Sequence, residues 1–337
     1  MQFDIGRSEQ QNTRAASLRA LYETYRIWLT GIAVLLIVGI TVVVWLFSPP
    51  SNFPANSLIT ISKDAPASTF GATLADAHLI RSEFLFKVLA RITGFDHHLD
   101  TGAYVFKKPA SLISVLRRIH AGQHGIEAVH ITFTEGMTHY DMADTLEAQL
   151  PGFNRSAFLN AASTSEGYLF PDTYFFMPGD SGDDIVIRLK SQFSQSIATI
   201  TPQILASRHK FSDAVILASI LEREAKTEED KRIVAGILWN RIAKGMPLQV
   251  DAVFGYIHKE NGYTPTAEDL ASNSPYNTYR NKGLPPTAIS NPGIESLLAA
   301  VTPAQTKYFY YLTGNDGKMH YAVTFDQHKK NVAQYLK

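Results

Sequence analysis

The sequence contains no cysteine, which excludes disulfides, thiolate metal sites and a cysteine nucleophile while staying compatible with an oxidising compartment. It carries no net charge either, 31 Lys and Arg balancing 31 Asp and Glu. That removes the electrostatic footprint of a nucleic-acid binder, and no basic stripe restores it. Charged residues are few, 18% against 45% hydrophobic, so the chain is not of the disordered class. No fixed-period repeat and no low-complexity tract occurs. Nor does any H-E-x-x-H or comparable spacing: His97 and His98 are adjacent and the other histidines are scattered. Buried, satisfied or solvated histidines are therefore expected, with no metal site.

A chain of 337 residues has material for roughly two domains. Its first marked feature is Trp28 to Phe47, WLTGIAVLLIVGITVVVWLF, which has no formal charge. At about 1.5 Å per residue such a helix spans roughly 30 Å, the thickness of a bilayer core. Trp28 and Trp45 sit near its ends, where amphipathic rings favour the headgroup region, and Pro49 and Pro50 stop the helix beyond it. Arg7, Arg14, Arg19 and Arg26 precede the span, and the first basic residue after it is Lys63. The positive-inside rule puts the N-terminus in the cytoplasm and the rest outside, as in a single-pass inner-membrane protein. A cleaved signal peptide is the competing reading; its apolar core would be unusually long, and no small-x-small site precedes the proline pair.

Residues 48–56, SPPSNFPAN, read as a short stiff linker. An extended run at Ser57–Ile61, amphipathic stretches at Ser68–Leu79 and Ser82–Thr93, a second extended run at Ala103–Phe106 and a helix near Ala110–His120 make a small α+β module. Beyond it, Ala128–Phe133 alternates like a strand, and helices are expected from Thr138 to before Pro151, over Asp183–Ile200 with Pro202 as separator, and through Phe211–Ala243. Thr227 with Asp230 marks the start of a second helix inside that last segment, and Gly245 its end. Lys307–Thr313 and Met319–Phe325 flank Gly314-Asn315-Asp316-Gly317 as a hairpin, and a terminal helix over Asp326–Leu336 starts on Thr324. The fold class is α+β: cytoplasmic tail 1–27, transmembrane helix 28–47, linker 48–56, small module 57–125 and a larger α+β domain 126–337.

Three segments offer chemistry. In the helix Ala214–Lys226, at about 100° per residue, Glu222 falls over Ala218 and Ser219, whereas Glu224 lies between Leu217 and Ile220. A carboxylate on a mostly apolar helix beside small residues suits an acid held protonated in a cleft. Pairing of both glutamates with Arg223, Lys226 or a neighbouring helix is the equal alternative. In Met246–Tyr256 a strand-like alternation puts Leu248 and Val250 on one face and Gln249 and Asp251 on the other, a polar pair that lines a sugar site or is the wet face of a sheet. The segment Ser272–Gly293 holds four prolines and two glycines, yet carries Tyr276, Asn277, Tyr279 and Arg280. Its length and its aromatic and amide content favour a binding loop over a disordered linker.

Together these segments resemble the endolytic murein transglycosylase, or YceG-like, family. The stretches that carry the likeness are EGYLFPDTYFF (166–176), LASILEREA (217–225), ILWNRIAKGMPLQVDAVFGY (237–256) and SPYNTYRNKGLPPTAISNPG (274–293), with TGAYVF (101–106) closing a module that in this family is LysM-like. The resemblance implies cleavage of the MurNAc–GlcNAc β-1,4 bond of peptidoglycan without metal or cofactor, by one acid. The family's catalytic glutamate falls on Glu222, and its motif positions place Asn240, Gln249, Asp251, Tyr276, Asn277 and Thr278 around the substrate. The implied partners are glycan strands at the membrane and the peptidoglycan synthases that make them. Two departures stand out: Ala225 where the family commonly has Thr, and Thr287 where Gly is usual. A hydrolytic glycosidase using Asp251 or Glu224 as a second carboxylate, and a non-catalytic peptidoglycan-binding scaffold, are the readings from other classes.

Overall fold

The computed structural model describes residues 5–61, 67–97 and 99–336. Lys63, His98 and the first four residues of the tail lie outside them, as do the side chains of Arg7, Arg14 and Arg19. The chain divides into two compact units, residues 1–126 and 127–337.

The first unit begins with one continuous helix, α1 (Ile5–Phe47), ended by the proline pair as its sequence predicts. Its Tyr25–Phe47 portion is long and apolar enough to cross a membrane, with mean hydropathy 2.7 and large apolar side chains exposed throughout. Strand β1 (Leu58–Ile61) follows, then helices α2 (Ala67–Asp76) and α3 (Glu83–Thr93) and strand β2 (Gly102–Val105), which pairs antiparallel with β1 in the register Leu58 to Val105. Helix α4 (Leu112–His120) completes the module. Ser82 caps α3 by accepting from the Leu85 N–H, and Gly94 ends it in the left-handed region. Ile61, Phe70, Phe86, Tyr104, Phe106 and Leu116 form its core.

In the second unit β3 (Val129–Thr132) leads to α5 (His139–Gln149), which starts on a complete capping box of Thr138 and Asp141. Helix α6 (Arg155–Ala162) and strand β4 (Thr173–Phe176) follow, and β4 returns antiparallel to β3. Helix α7 spans Gly182–Ala198; Pro202, expected to separate helices, sits in the first turn of a short helix α8 (Thr201–Ala206), where its missing N–H costs nothing. The strong helical signal resolves into α9 (Phe211–Glu224) and α10 (Glu228–Ala243), the latter capped by Thr227.

The expected strand within Met246–Tyr256 is replaced by a single bridge from Pro247 to Lys282 and then helix α11 (Ala252–His258). Alternation survives only over Leu248–Asp251, with Leu248 and Val250 buried and Gln249 and Asp251 exposed. The run that follows, AVFGY, is apolar on consecutive residues, a pattern that suits a short buried helix as well as a strand. Helices α12 (Ala267–Ala271) and α13 (Ile294–Val301), the hairpin β5 (Tyr310–Thr313) with β6 (Met319–Ala322), and α14 (Phe325–Tyr335) on its Thr324 cap complete the chain. Helix α9 packs against α10, α11 and α13 and is buried over Leu217–Leu221, and Glu222, Arg223 and Glu224 of its last turn line a cavity.

Candidate functional site

The end of α9 opens into a cavity of about 480 Å³. Its walls include Glu135 and Gly136 after β3, the Glu222–Glu224 turn, and Asp251 with Tyr263 from the α11 region. Glu222 has a defined seat: its side chain is 6% exposed, Lys231 Nζ lies 2.9 Å from Oε1, and the Gly293 N–H donates to Oε2 at 2.9 Å. Lys231 is itself only 4% exposed and has a second carboxylate, Glu295, at 3.8 Å. The apolar setting expected for Glu222 is thus corrected by a buried lysine and a backbone amide. The room beside the small residues Ala218 and Ser219 is filled by the chain at 288–290, since Ser219 Oγ accepts from Ile289 N–H and its carbonyl accepts from the Ser290 hydroxyl.

Gly293 lies close against Glu135, so that a β-carbon at that position would push the Glu135 carboxylate aside. Burial first, and then the nearby Glu222 charge, hold Glu135 above the usual carboxylate range, with Lys231 offsetting part of it. Glu224 has different neighbours. The Tyr311 hydroxyl donates to it at 3.0 Å, and burial pushes it up to about 7, with Asp251 adding to the shift and the Tyr311 and Ala252 hydrogen bonds opposing it. Arg223 donates to the Gly136 carbonyl at 3.3 Å and to Asn261, which in turn donates to Asp141 at 3.1 Å.

A buried brace behind the cavity fixes these walls. Asn291 Oδ1 accepts from the N–H groups of Gly167 and Leu169, while its Nδ2 donates to the Met137 carbonyl and to Glu166 at 2.6 Å. Glu166 also bonds the ring and backbone N–H of His139. Backbone bonds between Gly136 and Asn291 and between Asn291 and Met137, both 2.9 Å, close the link. The EGY motif and the long loop therefore meet behind Glu222.

The predicted polar residues separate into two groups. Asp251 lines the cavity and accepts from the Tyr279 hydroxyl at 2.6 Å. Gln249 faces an adjoining cavity that shares Glu224 and Asp251. The others tie the fold together, three of them through backbone. Asn240 donates to the Thr306 carbonyl at 2.9 Å, and Asn277 is fully buried with its amide on the carbonyls of Asp269, Leu270 and Ser272. Thr278 Oγ1 accepts from Val250 N–H and donates to the Val250 carbonyl, and the Tyr276 hydroxyl bonds Thr287 Oγ1 at 2.7 Å. The threonine that departs from the usual glycine thus fixes a tyrosine of the loop.

Sequence reasoning missed Lys231, Glu135 and the Gly293 amide. Lys231 left one signal: it shares a helical stripe with Ala235 and Leu238, where a buried apolar residue is the rule. Among the described residues no group of three or more His, Asp or Glu is arranged to hold a metal ion.

Three comparisons bear on the site. A model of the YceG-like family matches residues 59–334. The endolytic murein transglycosylase of Bacillus subtilis (strain 168) is 27% identical over 305 residues, covering 82% of this chain and 84% of that protein. The protein of the same name from Streptococcus pneumoniae serotype 2 (strain D39) is 24% identical over 321 residues, and the match spans just 58% of its length. A crystal structure of a YceG-like protein from Listeria monocytogenes is similar with a TM-score of 0.56 at 27% identity, over 81% of this chain and 98% of that one.

Proposed function

The chain belongs to the YceG-like family, and from that premise we propose that it is an endolytic lytic transglycosylase that cuts the MurNAc–GlcNAc β-1,4 bond within peptidoglycan strands, with Glu222 as acid and then base. The observation that carries this reading is the seat of Glu222, a nearly buried carboxylate held from two sides at the wall of a cavity of about 480 Å³. In the first step protonated Glu222 gives its proton to the glycosidic oxygen as the bond to MurNAc C1 breaks. Before that step, while Glu222 carries the proton, Lys231 has Glu295 as its counter-charge. In the second step the MurNAc C6 hydroxyl attacks C1, its proton passes to the ionised Glu222, and a 1,6-anhydro ring closes. Lys231 and the Gly293 N–H are both donors and suit the ionised state between the steps. Protons balance over the cycle, so the reaction as written needs no water, metal or cofactor.

Asp251 and Gln249 supply substrate contacts in this reading, while Asn240, Asn277 and Thr278 hold the backbone that presents them and Tyr276 ties the loop through the Thr287 hydroxyl. The apolar stretch Tyr25–Phe47 anchors the chain in the inner membrane. The basic residues before it orient the tail, 1–27, to the cytoplasm, and place the small module, 57–125, as a LysM-like strand-holding unit outside with the catalytic domain, 126–337. The cut then falls on nascent strands, beside the synthases that extend them.

The test is digestion of isolated sacculi by the full-length, detergent-solubilised protein, with products identified by mass spectrometry. The expected products carry 1,6-anhydro-MurNAc ends, and Glu222→Gln lowers their yield about 10²–10⁴-fold. Undiminished yield from that variant removes Glu222 from the role. Glu224 and Asp251 line the same cavity, which favours a hydrolytic reaction as the second reading. Reducing MurNAc ends in place of anhydro ends would select it.

A further inference from the structure

The apolar span and the small module are joined without slack. Phe47, the last residue of α1, packs against the module core. Phe53, in the connecting segment, is buried in that core, its ring 5.6 Å from that of Phe106 in an edge-to-face contact. The Asn56 N–H donates to the Phe106 carbonyl at 2.8 Å. Arg81, two residues ahead of α3, donates to the Pro49 carbonyl at 2.8 Å and lies over the Trp45 ring at 4.6 Å. Trp45 stands near the end of the apolar stretch, the level at which an amphipathic ring meets headgroups. The start of α3 is therefore fixed beside the point where the span ends.

Helix α3 has two unlike faces. Leu85, Phe86, Leu89 and Ala90 pack into the module core. At about 100° per residue, Phe84, Val88 and Ile92 fall in one stripe on the side turned away from that core. Phe84 is 72% exposed and Ile92 77% exposed, with Val88 half-buried between them. Large apolar side chains so exposed, and aligned two turns apart, differ from the singly scattered ones that any surface carries. Exposed Lys87 and Arg91 border the stripe, Lys87 pairing with Glu83 one turn back. With Arg81 at its start, this face carries more cations than carboxylates. An apolar stripe edged by cations is what a helix lying in a bilayer surface presents: apolar groups for the acyl boundary, and long cationic stems that reach the phosphates. A bilayer is also the one surface that α3 cannot leave, because the short connection keeps it beside the end of α1.

We propose that the outward face of α3 docks on the bilayer that α1 spans, with Phe84 and Ile92 entering the boundary between headgroups and acyl chains and Lys87 and Arg91 meeting lipid phosphates. The docking rests on the reading of Tyr25–Phe47 as a membrane span, and it is independent of which side of the membrane the module occupies. It gives the small module a second hold on the lipid, so that the module lies on the surface and does not stand off it.

The sequence has no cysteine, so a single introduced one carries a spin label at a unique position. Full-length protein with Phe84→Cys or Ile92→Cys is labelled and reconstituted into vesicles of phosphatidylethanolamine and phosphatidylglycerol. Collision of the label with oxygen and with a water-soluble nickel chelate then reads its depth. Both labels are expected about 5–10 Å below the phosphates. A label at Val88→Cys is expected to lie in the lipid as well, and to move into water when Phe84→Asp and Ile92→Asp are introduced with it. Protein that floats with the vesicles while the labels at 84 and 92 stay in water overturns the docking, keeps the span, and leaves this face to a protein partner. A Val88 label unmoved by the two aspartates overturns it too, since the stripe would then not be what holds the helix down. Protein that does not float with the vesicles removes the span and the docking together. Cutting of sacculi by the same preparations reports separately on the reaction at Glu222.

Discussion

Around Glu222 the cleft supplies charge, a lysine 2.9 Å from one oxygen and a backbone amide on the other. Around Glu224, two residues on, it supplies a phenol at 3.0 Å and burial that pushes the acid up to about 7. Both side chains leave the last turn of α9 and both line the same cavity. The difference lies in what the other elements bring: α10 brings Lys231 to one, β5 brings Tyr311 to the other. Two identical side chains thus acquire a paired, positioned state and one held well above the usual carboxylate range without any difference in their own helix.

The comparison breaks most visibly at Lys231. Lys231→Met leaves a buried carboxylate without its counter-charge, and is expected to cost about 3–5 kcal/mol, lowering Tm by roughly ten degrees. Glu222→Gln combined with Lys231→Met should recover part of that loss, because neither charge is then left bare. Strictly additive losses in this thermal double-mutant cycle would mean that the two groups are not coupled.

Glu224 should respond to pH instead. Its folded value of about 7 lies above the ordinary 4.5, so the folded state holds a proton that the unfolded chain releases. Its contribution is therefore full below about 4.5 and is lost as pH rises through about 7. Relative to Glu224→Gln, the wild type should melt progressively lower between pH 5 and about 8. Parallel melting curves for the two proteins across that window would show that Glu224 is not held neutral.

The smallest expected effect is at Thr278, whose hydroxyl pins Val250 beside Asp251. Thr278→Val should cost about 1–3 kcal/mol in a denaturant titration, since the Val250 amide loses its partner while buried. A variant as stable as the wild type would show that the Val250 backbone finds another partner.

Local signals make much of the fold legible in the sequence. Ser82, Thr138, Thr227 and Thr324 each announce a helix start, and each accepts the expected backbone N–H. The short elements were not legible: α11 follows an alternating LQVD that reads as strand, and β4 gains its identity only from β3, paired through Ile131 to Tyr174. At the site, helical periodicity separated Glu222 from Glu224 but had no access to their partners. Lys231 lies nine residues from Glu222 on the next helix, and Gly293 reaches it from 71 residues away, so their proximity is a product of packing. Asn277 and Thr278 look in sequence like ligands for a sugar because the side chains that bind sugars are also those that tie loops.

The brace at Asn291 has a bearing on the order in which the molecule can become active. Its bond to the Met137 carbonyl joins residues 154 apart, and its bonds to Gly167 and Leu169 span more than a hundred. A chain made from its N-terminus onward completes helix α9 long before it makes residue 291. Until then Glu222 lacks the amide of Gly293, and the walls at Gly136 and Met137 have nothing to hold them. The seat of Glu222 is thus completed by a segment synthesised well after its own helix, and a nascent chain that has not reached residue 293 carries the glutamate without its amide.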